Sequence, residues 1–196
     1  MSVENVWLVA GLGNPGPGYA GNRHNVGQMA LDELASRHGG KFSRHRSTTM
    51  LAEVRTRPGG PKLVLIKPLS YMNTSGGPVS SAAKYFGIPP ERTVVLHDDL
   101  DLPFESIKLK AGGGHGGQNG VRDIAKALGT AEFPRVRIGI GRPPGRQDAA
   151  DYVLKDFPAA ERARLPFVLD AAVDAVELLV AEGLLTAQQR FHAPRT

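Results

Sequence analysis

Apolar residues recur along this chain with two different periods, and the alternation between them outlines its elements. Short apolar, β-branched runs predict strands near 5–10, 48–56, 62–67, 93–98, 106–110 and 135–140. Helical spacing predicts helices over 24–37, where Val26, Met29, Ala30 and Leu34 share a face, over 76–86 with Gly87 as a C-terminal stop, and over 119–128. A last helix over 159–182 carries Leu165, Val168, Leu169, Ala172, Val173, Val176 and Val180 as a stripe on an otherwise acidic surface. Such a stripe covers a sheet rather than crossing a membrane. Pro58, Gly59, Gly60 and Pro61 between two strand patterns read as a hairpin turn, so the sheet is mixed. The predicted fold is α/β: a single three-layer domain with a twisted mixed β-sheet flanked by helices. Residues 1–190 are expected to form that domain and 191–196 a flexible C-terminal tail.

Composition removes several function classes. The 196 residues, 41% of them hydrophobic, suffice for one well-buried core and are few for two. The chain has no cysteine, hence no disulfide framework, thiolate zinc site or cysteine nucleophile, as suits a reducing cytoplasm. No G-x-S-x-G serine is present either. The first residues lack a basic segment followed by a long apolar one, and no apolar run approaches the roughly 18 residues of a membrane span. A soluble, untargeted cytoplasmic protein is expected.

The net charge of +5 is unevenly spread. Residues 106–147 hold Lys108, Lys110, Arg122, Lys126, Arg135, Arg137, Arg142 and Arg146 against Asp123 and Glu132, a local charge of +6, while the remainder is slightly acidic. A basic stretch of this kind is the footprint of a polyanion such as nucleic-acid phosphate, though a solvated surface reads the same way.

Four polar islands fall at strand ends or helix starts, where α/β sheets gather ligands. Asn14, in a glycine-rich turn after the first strand, precedes His24 and Asn25; Ser70, Tyr71, Met72 and Asn73 follow the third strand; His97, Asp98, Asp99 and Asp101 end the fourth; and a glycine run over 112–117 leads into Gln118 and Asn119. Together they supply three amides, a base candidate, a carboxylate and a mobile loop, the inventory of a hydrolytic site without metal. The clustered aspartates Asp98, Asp99 and Asp101 would also suit magnesium. Each asparagine could instead cap a helix or hold a turn, and for Asn119, before Gly120 and a helical run, capping could coexist with binding.

In these islands the chain closely resembles the bacterial-type peptidyl-tRNA hydrolase family. GLGNPG, RHNVG, YMN-x-SG, HDDLDLP, GGGHGGQNG and RIGIGRP appear in order from about Val6 to His192, nearly the whole chain. The resemblance implies a single catalytic α/β domain, monomeric and without cofactor, that cleaves the ester between a peptide and the 3′ ribose of tRNA and so recycles tRNA. It implies His24 as catalytic base and Asp98 as its partner. Asn14, Asn73 and Asn119 match the family's active-site asparagines; Asn14 and Asn73 are expected to flank the attacked carbonyl and stabilise the transition state, and Asn119 to position water or substrate. Tyr19 and Tyr71 are expected to join them in binding substrate. Lys108, Lys110 and Arg137 match basic positions that hold tRNA, Lys110 being the first choice for a terminal phosphate, with Arg142 and Arg146 weaker. Gln118 departs from relatives that carry His there, a change expected to touch the glycine loop more than the chemistry.

General chemistry supports those roles independently. A neutral imidazole with a reference pKa near 6.5 can take a proton from water near neutral pH, and a carboxylate on its other nitrogen fixes the tautomer. An amide donates and accepts without titrating, so it can hold an oxyanion at any physiological pH. Two alternatives stand beside the esterase: an RNA-binding module on the same scaffold, as in a plant organelle splicing factor, and a hydrolase of small esters. Intact Asn14, His24, Asp98 and Asn119 favour the first of the three, and the basic stretch argues against the last.

Overall fold

A computed structural model describes residues 5–193. Seven strands form one mixed sheet: β1 (Val6–Gly11), β2 (Ser43–His45), β3 (Thr49–Arg55), β4 (Lys62–Pro68), β5 (Thr93–Asp99), β6 (Ile107–Ala111) and β7 (Pro134–Gly139), in the order β2-β3-β4-β1-β5-β7-β6. Strands β4, β1, β5 and β7 run parallel, and β2, β3 and β6 pair antiparallel at the edges. The hairpin predicted at residues 58–61 joins β3 to β4, and the sheet is mixed as expected. Six α-helices among the described residues accompany it: α1 (Val26–Arg37), α2 (Gly76–Phe86), α3 (Asn119–Leu128), α4 (Ala149–Val153), α5 (Ala159–Glu182) and α6 (Leu184–His192).

The pleat divides each strand's apolar residues between two cores. Val9, Leu63, Leu65, Val94, Leu96, Val136 and Ile138 face α1 and the α5 stripe, whereas Leu8, Ala10, Val64, Ile66 and Val95 face α2 and α3. With both faces covered, the central strands read as near-continuous apolar runs, and β5 is buried at every position. Sequence periodicity missed β2, α4 and α6. The first two are three and five residues long, too short for a period to register. Helix α6 continues through His192 where a tail from 191 was expected; residues 194–196 lie outside the described residues. It lies along the outer edge of β6, where Gln188 Nε2 donates to Leu109 O and His192 Nε2 accepts from Leu109 N–H at 2.9 Å, occupying backbone groups an edge strand would otherwise expose.

The strand order diverges at β1, with β4 on one side and β5 on the other. The crevice at their carboxyl ends is the switch point where open α/β sheets bind ligands. Helix α1 reaches it by a glycine-to-backbone approach: a Cβ on Gly27 would overlap Leu96 O, and one on Gly11 would lie 2.7 Å from Gly27 O. Gly27→Ala must push α1 off β5, and overpacking of this kind costs about 1–3 kcal/mol. Chemical denaturation is expected to show that loss, together with reduced activity because His24 immediately precedes α1; an unchanged midpoint would refute the close approach.

Candidate active site

His24 sits not in α1 itself but in a 3-10 turn, Arg23–Asn25, that leads into it. Its neighbours on both sides are locked. Arg23 is buried, its guanidinium stacked 3.9 Å over the Tyr152 ring and bonded to Tyr152 O, while its backbone N–H donates to Lys155 O. Asn25, also buried, accepts the backbone N–H of Asn14 at Oδ1 and donates through Nδ2 to Asn14 O. The turn therefore has one position, and it aims His24 at the end of β5. There His24 Nδ1 lies 2.8 Å from Asp98 Oδ2. Because an ionised carboxylate only accepts, Nδ1 carries the proton and Nε2 keeps its lone pair.

Burial disfavours the imidazolium, but the charge and hydrogen bond of Asp98 outweigh it and hold the His24 pKa above the ordinary 6.5. His97, one residue before Asp98 and on the opposite face of β5, differs. Fully buried, it has a pKa below 6.5, chiefly from desolvation, and its Nδ1–H donates to Asp98 O. His97 is a neutral structural group.

A cavity of about 550 Å³ opens over the dyad, lined by Asn14, Tyr19, His24, Tyr71, Met72, Asn73, Asp98, Leu100, His115, Gln118, Asn119, Val153 and Leu154 among others. All seven residues expected to act on or bind the reacting end of a substrate converge there. Asn14 Oδ1 accepts the backbone N–H of Met72 at 2.7 Å, so what Asn14 can offer a ligand is its Nδ2 amide. Asn73 and Asn119 are exposed. Tyr19 and Tyr71 meet edge to face, centroids 6.1 Å apart, and with Leu100, Val153 and Leu154 give the cavity apolar walls.

Gln118 and Asn119 correct the sequence reading. The N-cap of α3 is Gln118, not Asn119: Gln118 Oε1 accepts Val121 N–H at 2.9 Å. Its backbone N–H donates to His115 O in the glycine loop, while its Nε2 donates to Asp98 Oδ1 at 2.9 Å, so the side chain meets Asp98. Nothing in residue type or spacing announces that contact, since only folding brings the start of α3 to the end of β5.

The basic residues separate into groups. In the antiparallel ladder Lys108 pairs with Arg137 and Lys110 with Arg135, placing all four on one face of the β6–β7 ribbon. Arg135, counted above with the surface charge, is buried; it donates to Gly114 O and Ala131 O and stacks on Phe133. Lys110 Nζ donates to the same Gly114 carbonyl at 2.8 Å, so two cations tether the glycine loop. Gly112, Gly113, Gly116 and Gly117 all have φ between 61° and 80°, a conformation that explains the glycines without a phosphate-cradle motif. Arg137 is paired with Asp99, and Arg142 with Asp101. With Asp98 held by His24 and Gln118, each of the three clustered aspartates already has a partner. Among the described residues no three His, Asp or Glu side chains are placed to hold a metal ion. The Lys110 pKa is lowered from 10.5 by partial burial and then by the neighbouring Arg135 and Arg137.

Residues 8–196 match the family model described as peptidyl-tRNA hydrolase. The peptidyl-tRNA hydrolase of Pseudarthrobacter chlorophenolicus is 59% identical over 194 residues, covering 99% of both chains. That of Kineococcus radiotolerans is 58% identical over 197 residues, covering 98% of this chain and all of the relative. Among solved structures, the peptidyl-tRNA hydrolase of Acinetobacter baumannii superposes over 100% of this chain and 98% of its own, with a TM-score of 0.89 at 35% identity. No helix among the described residues is long and apolar enough to cross a membrane.

Proposed function

The chain belongs to the peptidyl-tRNA hydrolase family, hydrolases of the peptidyl-tRNA ester bond, and on that premise we propose that His24 is the general base of the reaction, oriented by Asp98. One observation carries the reading: an imidazole whose Nδ1 is bonded to a buried carboxylate faces a cavity that also holds three asparagine side chains. In the proposed sequence Nε2 takes a proton from water as the oxygen attacks the ester carbonyl. The oxyanion is held by the amides of Asn14 and Asn73, a contribution of about 10²–10³ in rate for one well-aimed donor. Collapse of the tetrahedral intermediate expels the 3′ ribose oxygen, which takes the proton back from the imidazolium. Asn119 positions water or the substrate backbone, and Tyr19 and Tyr71 seat the peptide. No step calls on a metal or cofactor. The monomer is inferred from the family alone, and a tRNA substrate supports the cytoplasm as its place of action.

Binding of tRNA is assigned to Lys108, Lys110 and Arg137, Lys110 taking a terminal phosphate. The tRNA then delivers its ester to His24 as a positioned reactant. Lys110→Ala is expected to raise KM more than it lowers kcat and to flatten the slope of log affinity against log salt by about 1. The loop remains tethered by Arg135, so an unchanged salt slope with intact tRNA would remove Lys110 from this role.

Release of an N-acetylated amino acid from tRNA by catalytic amounts of protein, with and without chelator, tests the function. Turnover unaffected by chelator, with aminoacyl-tRNA bearing a free α-amino group spared, is the expected result. Folded protein that binds tRNA and never turns over would instead be an RNA-binding module.

A further inference from the structure

We propose that Gln118 is a positioning residue for the hydrolysis: its amide nitrogen fixes the Asp98 carboxylate in the orientation that serves His24, and a backbone N–H of α3 fixes the amide. The inference rests on the reading of His24 and Asp98 as the catalytic pair. The Gln118 side chain is buried and makes three contacts: Oε1 accepts Val121 N–H, while Nε2 donates to Asp98 Oδ1 at 2.9 Å and lies 3.2 Å from Met72 Sδ. A backbone N–H can only donate, so Oε1 must be the end at Val121 and Nε2 the end at Asp98. Flipping the amide would set donor against donor at α3 and oxygen against carboxylate at β5, so one orientation survives.

For Asp98 the consequence is that its two oxygens are divided between two donors, Oδ2 to His24 and Oδ1 to Gln118. A carboxylate held at one oxygen can still turn about its terminal torsion, which is a broad well. Held at both, it presents Oδ2 to Nδ1 and nowhere else. Capping alone does not account for the residue type, because Ser, Thr, Asp and Asn are the usual N-caps and a shorter side chain closes the helix more economically. The extra length of glutamine is what reaches β5. An amide also does not titrate, so this restraint is constant over the pH range in which His24 changes charge.

Gln118→Glu separates the two functions, since a glutamate oxygen still accepts Val121 N–H but offers Asp98 an acceptor in place of a donor. A second carboxylate against buried Asp98 should cost some thermal stability, and kcat of the folded variant should fall about 10- to 100-fold, the range for loss of an outer group that orients a ligand. KM should change little. The acid limb of the kcat/KM profile should move to higher pH, because a second negative charge near Asp98 favours the imidazolium. The other titratable groups lining the cavity are Asp99, already paired with Arg137, and Tyr19, Tyr71 and His115, none of which the substitution alters. Gln118→Met keeps the volume and removes both bonds, and should lose activity and stability together. Nitrogen-15 NMR of the His24 ring, followed through titration, reads the same shift without turnover.

Wild-type kcat and an unmoved acid limb in folded Gln118→Glu would overturn the proposal and leave Gln118 a cap. Should Gln118→Glu not fold, wild-type kcat in folded Gln118→Met would overturn it equally. If His24→Ala itself keeps full activity, the reading of the catalytic pair fails instead, and the two failures are distinguishable in one set of assays.

Discussion

His24→Ala is expected to lower kcat/KM on N-acetylated aminoacyl-tRNA by about 10²- to 10⁴-fold, the range that general-base assistance supplies. Affinity for tRNA should be nearly unchanged, because the cations assigned to tRNA lie on the β6–β7 ribbon and not at the dyad. The wild-type pH profile gives an independent check. The base must be neutral, so kcat/KM should rise with pH through an apparent pKa above 6.5, the direction in which Asp98 moves His24. Stability runs the opposite way. A histidine whose folded pKa is raised contributes its full ionic stabilisation below the unfolded value of 6.5 and loses it as pH rises through the folded value. The enzyme is thus most active where this pair stabilises it least. The stability difference between wild type and His24→Ala should shrink as pH rises across that window, and a difference that grows would reverse the assignment. Retention of full kcat by folded His24→Ala would exclude it as the base.

Asp98→Asn should cost about 10³- to 10⁴-fold, comparable to loss of the base, although the replacement is isosteric. The neighbouring bonds say why. Gln118 Nε2 can only donate, so the oxygen of the new carboxamide would turn to Gln118 and its NH₂ to His24. His24 Nδ1 would then have to accept, the ring proton would move to Nε2, and the nitrogen facing the cavity could no longer take a proton from water. The imidazolium would also lose its counter-charge. Nitrogen-15 shifts of the His24 ring should show the Nε2–H tautomer in Asp98→Asn and the Nδ1–H tautomer in wild type. An Nδ1–H tautomer in the variant, or kcat within about tenfold of wild type, would remove Asp98 from the orienting role.

The sequence was most legible where a physical period or a backbone need leaves a local trace. Every long element was predicted to within a residue or two at its ends, because β5 reads as a buried apolar run and α5 as a stripe on an acidic helix. Gly87, taken as a helix stop, has φ 65° and ends α2 in the left-handed conformation. The short β2 and the single-turn α4 left no such trace, and α6 was hidden by mixed polarity, since what docks it is Gln188 and His192 reaching the edge of β6. The charged stretch shows the same limit. Composition counted Arg135 with the surface cations, but position along the chain does not say that its side chain is buried under Gly114.

What the sequence determined by itself is therefore the α/β class, the mixed sheet, the family, and the residues that converge on the cavity, since each island lies beside the strand end or helix start that delivers it. What only the tertiary structure decided is which atoms meet: that His24 uses Nδ1 for Asp98, that Asn14 commits its oxygen to Met72 and keeps its nitrogen for a ligand, and that Gln118 holds the second oxygen of Asp98. The reason is physical. Hydrophobic periods and turn residues act over a few neighbours in the chain, whereas the partner of a buried donor or acceptor is set by close packing between elements 20 to 74 residues apart.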